Sequence, residues 1–211
     1  MKLIVISSSK TIENEASIIT KLFESGLETF HLRKHKFSTY TMKQFIKSIP
    51  PHFHNRIVIH SHHNLARKFK LKGIHLTKSH QKDAVKTWLT VKILRFSNPE
   101  IEITTSFNNI GQLLDKKSDY EYTYVFLSPV FDSLSSKFQS GFTEHSLASA
   151  LKKSRYKVIA RGGVDMEAIE KGEKIGFHGL AFYSAMWKKK DPLVEFNKIV
   201  DRFKELNIPI E

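Results

Sequence analysis

Eight short β-rich runs recur along the chain, each followed by a segment with helical periodicity, and this alternation limits the fold more than any other feature. The runs are Leu3–Ile6, Thr29–Leu32, Ile57–Ile59, Gly73–Leu76, Ile101–Thr105, Tyr122–Leu127, Lys157–Ala160 and Gly179–Tyr183. Between them, "ENEASIITKLFESG" places Ile18, Leu22 and Phe23 on one stripe and stops at Gly26. "MKQFIKSIPP" ends on a proline pair, and "SFNNIGQLLDKK" follows serine and asparagine, both good N-cap types. Leu147 and Leu151 stand four apart in "TEHSLASALKK", and "DMEAIEKGEK" begins after Asp165. Asp191 then Pro192 open the last helix with a cap and a first-turn proline. The stretch Gln81–Pro99 fits helix or strand. Such a pattern specifies a parallel α/β protein, either an open doubly wound sheet or a closed TIM (β/α)8 barrel. The first strand runs into "VISSSKTIEN" with no glycine, which argues against a nucleotide-type open sheet, and the count of eight favours the barrel. With 211 residues and no linker or repeat, one domain over 1–211 is expected.

Charge narrows the partners. The net charge of +13 attracts polyanions, whether nucleic acid or phosphorylated metabolites. Its carriers, such as "LARKFKLK", "LKKSRYK" and "WKKKDP", are dispersed, and no nucleic-acid motif accompanies them. A small anionic substrate is therefore expected, and nucleic acid is not. The chain contains no cysteine, which excludes disulfides, thiolate metal sites and thiol nucleophiles and fits a cytoplasmic setting. "MKLIVISSSK" is too short an apolar run for a signal-peptide core, and no run reaches membrane-spanning length.

Barrel active sites lie at the carboxyl ends of the strands. Those ends read "FHLRKHK", "IHSHH", "IHLTKSH", "TTSFNN", "LSPVFDSLSSK", "ARGGV" and "AFYSA". Nearly all turn polar, and together they point to a ligand site that includes Thr105 and Ser128. The Gly162-Gly163 turn before a helix cap, with the backbone of Ser184 and Ala185, suits a phosphate.

In order and spacing these strand ends resemble the thiamine phosphate synthase family, which includes a thiazole tautomerase branch. The family's Q-x-R-x-K stands here as "HLRKH", its G-x-H-L-G-Q as "GIHLTK" and its G-P-V-F-x-T-x-T-K as "SPVFDSLSSK". Its A-I-G-G-I appears as "ARGGV" and its G-V-A-V-V-S-A-I as "GLAFYSAM". The resemblance implies an enzyme that joins an aminopyrimidine diphosphate to a thiazole phosphate, with magnesium assisting departure of pyrophosphate. It also implies that Arg33 and Lys34 hold the diphosphate, with His31 in the glutamine position. Gly162, Gly163, Ser184 and Ala185 would hold the thiazole phosphate. The family lysine of the strand-six motif falls on Ser136, and Lys137 stands in for it one residue later. Homodimers are common in the family.

The chain departs from the pattern at the magnesium positions. Asn-Asp after the third strand is replaced by His60-Ser61, and the stretch after the fourth reads "TKSHQKD", with His80 nearest in register and Asp83 more remote. The tautomerase histidine after strand six corresponds to Pro129. Neutral imidazoles suit zinc, with His60 and His62 facing one way and His63 the other on a continued strand, and His75 or His80 completing a site. That arrangement ranks below one in which Arg33, Lys78, His60 and His80 neutralise the anion directly, and no metal site is assigned. His60 and Lys137 are the expected catalytic groups. The alternatives are a tautomerase-like or binding-only relative acting on a phosphorylated thiazole, or a basic nucleic-acid-binding barrel.

Overall fold

A computed structural model describes residues 1–115, 120–131 and 142–211. The alternation is realised strand by strand. β1 (Lys2–Ile6), β2 (Phe30–Leu32), β3 (Ile57–Ile59), β4 (Gly73–Leu76), β5 (Glu102–Phe107), β6 (Tyr124–Leu127), β7 (Val158–Arg161) and β8 (Gly179–Phe182) follow one another as a closed parallel barrel in chain order. The boundaries differ from the sequence reading mainly at β5, which continues two residues further, and at β6, which begins two later. No helix among the described residues is long and apolar enough to cross a membrane. Two compact units divide the chain, 6–105 and 1–5 with 106–211.

In the unit 6–105, α1 (Glu15–Glu24) buries Ile19, Leu22 and Phe23, while Ile18 sits at the edge of the stripe. The expected stripe is thus shifted by one residue, because Ile19 is the position three and four before Leu22 and Phe23. Phe23 stacks on Phe53 with centroids 5.2 Å apart and meets Phe30 edge-on. α2 (Thr39–Lys47) starts at Ser38, whose side chain accepts from the Thr41 amide, and α3 (Asn64–Phe69) follows β3. The ambiguous stretch is helical: α4 (Lys78–Lys82) and α5 (Ala84–Ser97) join at Asp83. Its period was masked because α5 carries apolar residues on both sides. Val91 and Leu94 are buried, whereas Val85, Trp88, Leu89, Ile93 and Phe96 are exposed.

In the unit 1–5 with 106–211, β8 pairs with β1 and β7, and β7 pairs with β6. Tyr124, Phe126, Phe182, Phe196 and Phe203 are fully buried, and the Lys2 ammonium lies 4.7 Å from the Tyr124 ring centroid. α6 (Ile110–Leu114) is capped by Asn109, and α7 (Glu144–Lys153) by Thr143. α8 (Glu167–Ile175) precedes β8, α9 (Ser184–Trp187) follows it, and α10 (Pro192–Glu205) closes the chain. The Asp191 carboxylate accepts from the amides of Leu193 and Val194 at 2.9 and 3.3 Å, as the cap-plus-proline signal requires. Asp191→Ala is expected to lower stability by about 1 kcal/mol, seen as a shifted urea midpoint with an unchanged slope.

Candidate active site

In the unit 6–105 the ends of β2, β3 and β4 bring three histidines together. Parallel register sets His31 opposite Val58, Val58 opposite Gly73 and His75 opposite Thr104. Side chains alternate along a strand, so His31, His60 and His75 all project to one face. A hydrogen bond of 2.9 Å joins His31 Nδ1 and His60 Nε2, and the His60 ring stacks on His75 with centroids 4.1 Å apart. His75 Nδ1 lies 2.9 Å from the Thr104 hydroxyl. The sequence reading paired His60 with His62. Instead, His62 has φ 55 and turns away, bonding through Nε2 to the Phe37 carbonyl and through Nδ1 to Thr39. A signal for the observed set was present: "FHL", "IHS" and "IHL" put a histidine behind an apolar residue in three successive strands.

Other expected ligands have different commitments. Lys34 does not present an open cation. Its ammonium is buried, bonded to Glu15 Oε2 at 2.5 Å and to the Lys10 carbonyl at 3.0 Å. Sequence reasoning missed Glu15, which belongs to the first turn of a helix and carries no motif. The Thr105 hydroxyl donates to the Leu76 carbonyl and accepts from the Gln81 amide, so its proton is already used in the wall. His80 accepts from the Thr77 amide through Nδ1, closing a capping box. Burial, then the nearby Lys86, lowers its pKa, so at neutral pH it contributes a neutral ring rather than a cation. Its ring packs 4.3 Å from that of His63, whose pKa burial and His80 push down to about 3. Arg33 is half-buried at the end of β2, and Lys78 is exposed at the start of α4.

Magnesium takes hard oxygen ligands, commonly carboxylates with substrate phosphate. The two strand ends where the family pattern has aspartate carry His60-Ser61 and Thr77 to His80, and Asp83 is exposed at the α4–α5 junction. Imidazole, hydroxyl and ammonium groups do not fit magnesium. The donors at these two strand ends are therefore not the set that magnesium takes.

In the other unit, the end of β7 makes the turn that the sequence suggested. Gly162 and Gly163 have φ of 89° and 72°, a region that disfavours any side chain. A Cβ on Gly162 would lie 3.0 Å from Pro129 Cα and 3.4 Å from Ser128 Oγ. The Val130 amide donates to the Arg161 carbonyl and the Phe131 amide to the Gly162 carbonyl. The "SPVF" and "ARGG" blocks are thus laced together through backbone. Ser184 begins α9 and is nearly buried, with Ala185 half-buried behind it. Amides at the start of a helix lack acceptors within it and suit an anion. Lys137 and Ser136 lie outside the described residues.

Known proteins share this organisation. The family model described as thiamine monophosphate synthase matches residues 3–186. A thiamine-phosphate synthase of Flavobacterium psychrophilum is 22% identical over 93% of this chain and 98% of its own length. The crystal structure of thiamine phosphate pyrophosphorylase from Bacteroides thetaiotaomicron superimposes with a TM-score of 0.74, at 26% identity over 98% of each chain. The thiamine phosphate pyrophosphorylase of Pyrococcus furiosus has the same fold, with a TM-score of 0.75 at 16% identity over 97% of this chain and 96% of its own. Strand order, the laced glycine turn and the family match over most of the length agree, and the chain belongs to the thiamine monophosphate synthase family of enzymes.

Proposed function

We propose that this protein joins an aminopyrimidine diphosphate to a thiazole phosphate, giving thiamine phosphate and pyrophosphate. The observation that carries this reading is the Gly162-Gly163 turn, held by backbone bonds to the "SPVF" segment within a chain of this family. In the reaction the pyrimidine methylene–oxygen bond breaks and pyrophosphate leaves with the electron pair. The thiazole nitrogen then forms the new bond to the methylene carbon. Arg33 and Lys78 supply cations for the diphosphate, with Lys137 as a further candidate. Backbone amides at Gly162, Gly163, Ser184 and Ala185 hold the thiazole phosphate. With the carboxylates replaced, negative charge on the leaving group is met by protein cations.

The test is to incubate both substrates, with and without magnesium, and follow thiamine phosphate by chromatography. Product formed to a similar extent in both arms supports the reading. Turnover that depends on magnesium would show that the ion binds despite the altered donors. No product in either arm, with thiazole phosphate still bound, would leave a tautomerase-like or binding-only relative, a reading favoured by the same missing carboxylates. Gly162→Ala is expected to cost about 1–3 kcal/mol through backbone strain and to weaken thiazole phosphate binding. Calorimetry on the folded variant checks the second effect. Unchanged affinity would remove the glycine turn from the site.

A further inference from the structure

We infer that His31, His60 and His75 form a binding site for a divalent transition metal of the zinc type, with nitrogen donors in place of the oxygen donors that magnesium takes. One ligand nitrogen from each ring lies within 4.8 Å of the other two. The residues are 0%, 5% and 3% exposed, so the cluster is not a chance gathering of surface histidines. Rings packed this closely cannot all be protonated in a buried site without strong repulsion. At least one nitrogen of the His31–His60 pair is a lone-pair acceptor, as their 2.9 Å bond requires. A metal replaces that hydrogen bond with two coordinate bonds, the shared proton moving to the far nitrogen of the ring that donates it or leaving to solvent.

Outer-shell geometry supports the same assignment. The Thr104 hydroxyl lies 3.3 Å from the Ile74 carbonyl, and when it donates there it accepts from His75 Nδ1–H. In that tautomer the metal-binding lone pair of His75 is on Nε2, the arrangement that outer-shell partners impose on metal-binding histidines. Tetrahedral zinc with nitrogen ligands at roughly 2.0–2.1 Å sets those nitrogens roughly 3.3 Å apart. The His31–His60 pair opens slightly to reach this, and the widest pair closes by roughly 1.5 Å or less. Three protein ligands leave a fourth position for water or a phosphate oxygen, as in catalytic rather than structural zinc sites. Beside His60, the Ser61 hydroxyl is buried with no hydrogen-bond partner among the described residues. Imidazole donors select zinc, cobalt, nickel or copper over magnesium. The inference does not rest on the synthase reading, because its test reads metal binding directly.

Full-length protein is stripped with a chelator, dialysed and titrated with zinc, cobalt or magnesium chloride by calorimetry, with cobalt also followed by visible absorption. The expected result is one zinc or cobalt per chain, intense tetrahedral cobalt bands, and no heat from magnesium at the same concentrations. His31→Gln and His60→Asn place the family-type residues at these positions. With folding confirmed by circular dichroism, each should weaken zinc binding by more than the roughly 10–100-fold typical of outer-shell changes. Thr104→Val should fall within that roughly 10–100-fold range, as a positioning residue. His63→Gln and His80→Gln should bind zinc as the parent does. Absence of stoichiometric zinc or cobalt binding would overturn the site. So would binding that survives His31→Gln and His60→Asn, or that is lost instead with His63→Gln or His80→Gln.

Discussion

Lys34→Met is expected to lower the folding free energy by about 3–5 kcal/mol, the usual cost of leaving one member of a buried ion pair alone. Both side chains are almost fully buried, at 2% and 3% exposed, so water cannot replace the lost partner. For a chain of this size the change corresponds to a fall in Tm of roughly 6–20 °C. The sign of the pH dependence follows from Glu15. Burial already raises its pKa above the ordinary carboxylate value, and the Lys34 hydrogen bond and charge offset part of that rise. Removing Lys34 raises it further. A folded-state pKa raised above the unfolded value gives stability that is present below the unfolded value and lost as pH rises. The deficit should therefore be largest near neutrality and shrink below about pH 4.5, where Glu15 is protonated in both states. Glu15→Leu combined with Lys34→Met should recover most of the loss, since an apolar pair of similar volume is often neutral or better. Urea unfolding of the parent, both single variants and the double variant gives the coupling. A single-variant loss below about 1 kcal/mol would mean that the pair is solvated and that Lys34 is available to a ligand.

Acidification acts through His63. Its ring is buried, and burial together with His80 lowers its pKa to about 3, while backbone hydrogen bonds at His75 and His60 work in the other direction. A folded pKa depressed below the unfolded value contributes stability above the unfolded value, near 6.5, that is lost as pH falls towards about 3. Each pKa unit is worth about 1.4 kcal/mol, so between pH 6.5 and pH 4.5 this residue alone removes up to roughly 3 kcal/mol. His63→Leu puts an apolar side chain in the site, and it cannot take up a proton. Urea midpoints measured with chelator present should fall more steeply with acid in the parent than in the variant. Parallel curves between pH 7.5 and pH 4.5 would show that His63 titrates with ordinary ease.

Strand succession, helix caps and the glycine turn were legible in the sequence because each depends on local chemistry. Asp191-Pro192 announces a helix start wherever it occurs, and two glycines after a β-rich run announce a turn with positive φ. The apolar alternation needs only period counting. Where α5 carries apolar residues on both sides, counting fails, and the stretch fits helix and strand alike. The family's ordered blocks were likewise visible, because they are read along the chain.

Pairings across the fold were not legible. His31 and His60 are 29 positions apart and meet because β2 and β3 run in parallel register. Lys34 meets Glu15 across 19 positions, which turns an expected diphosphate ligand into half of a buried ion pair. His62 leaves the histidine face because its backbone takes a positive φ. The sequence alone determined which chemical groups stand at each strand end, since that depends on residue type and local period. Only the tertiary structure decided which of them touch and which are buried, because strand register and desolvation are properties of neighbours distant along the chain.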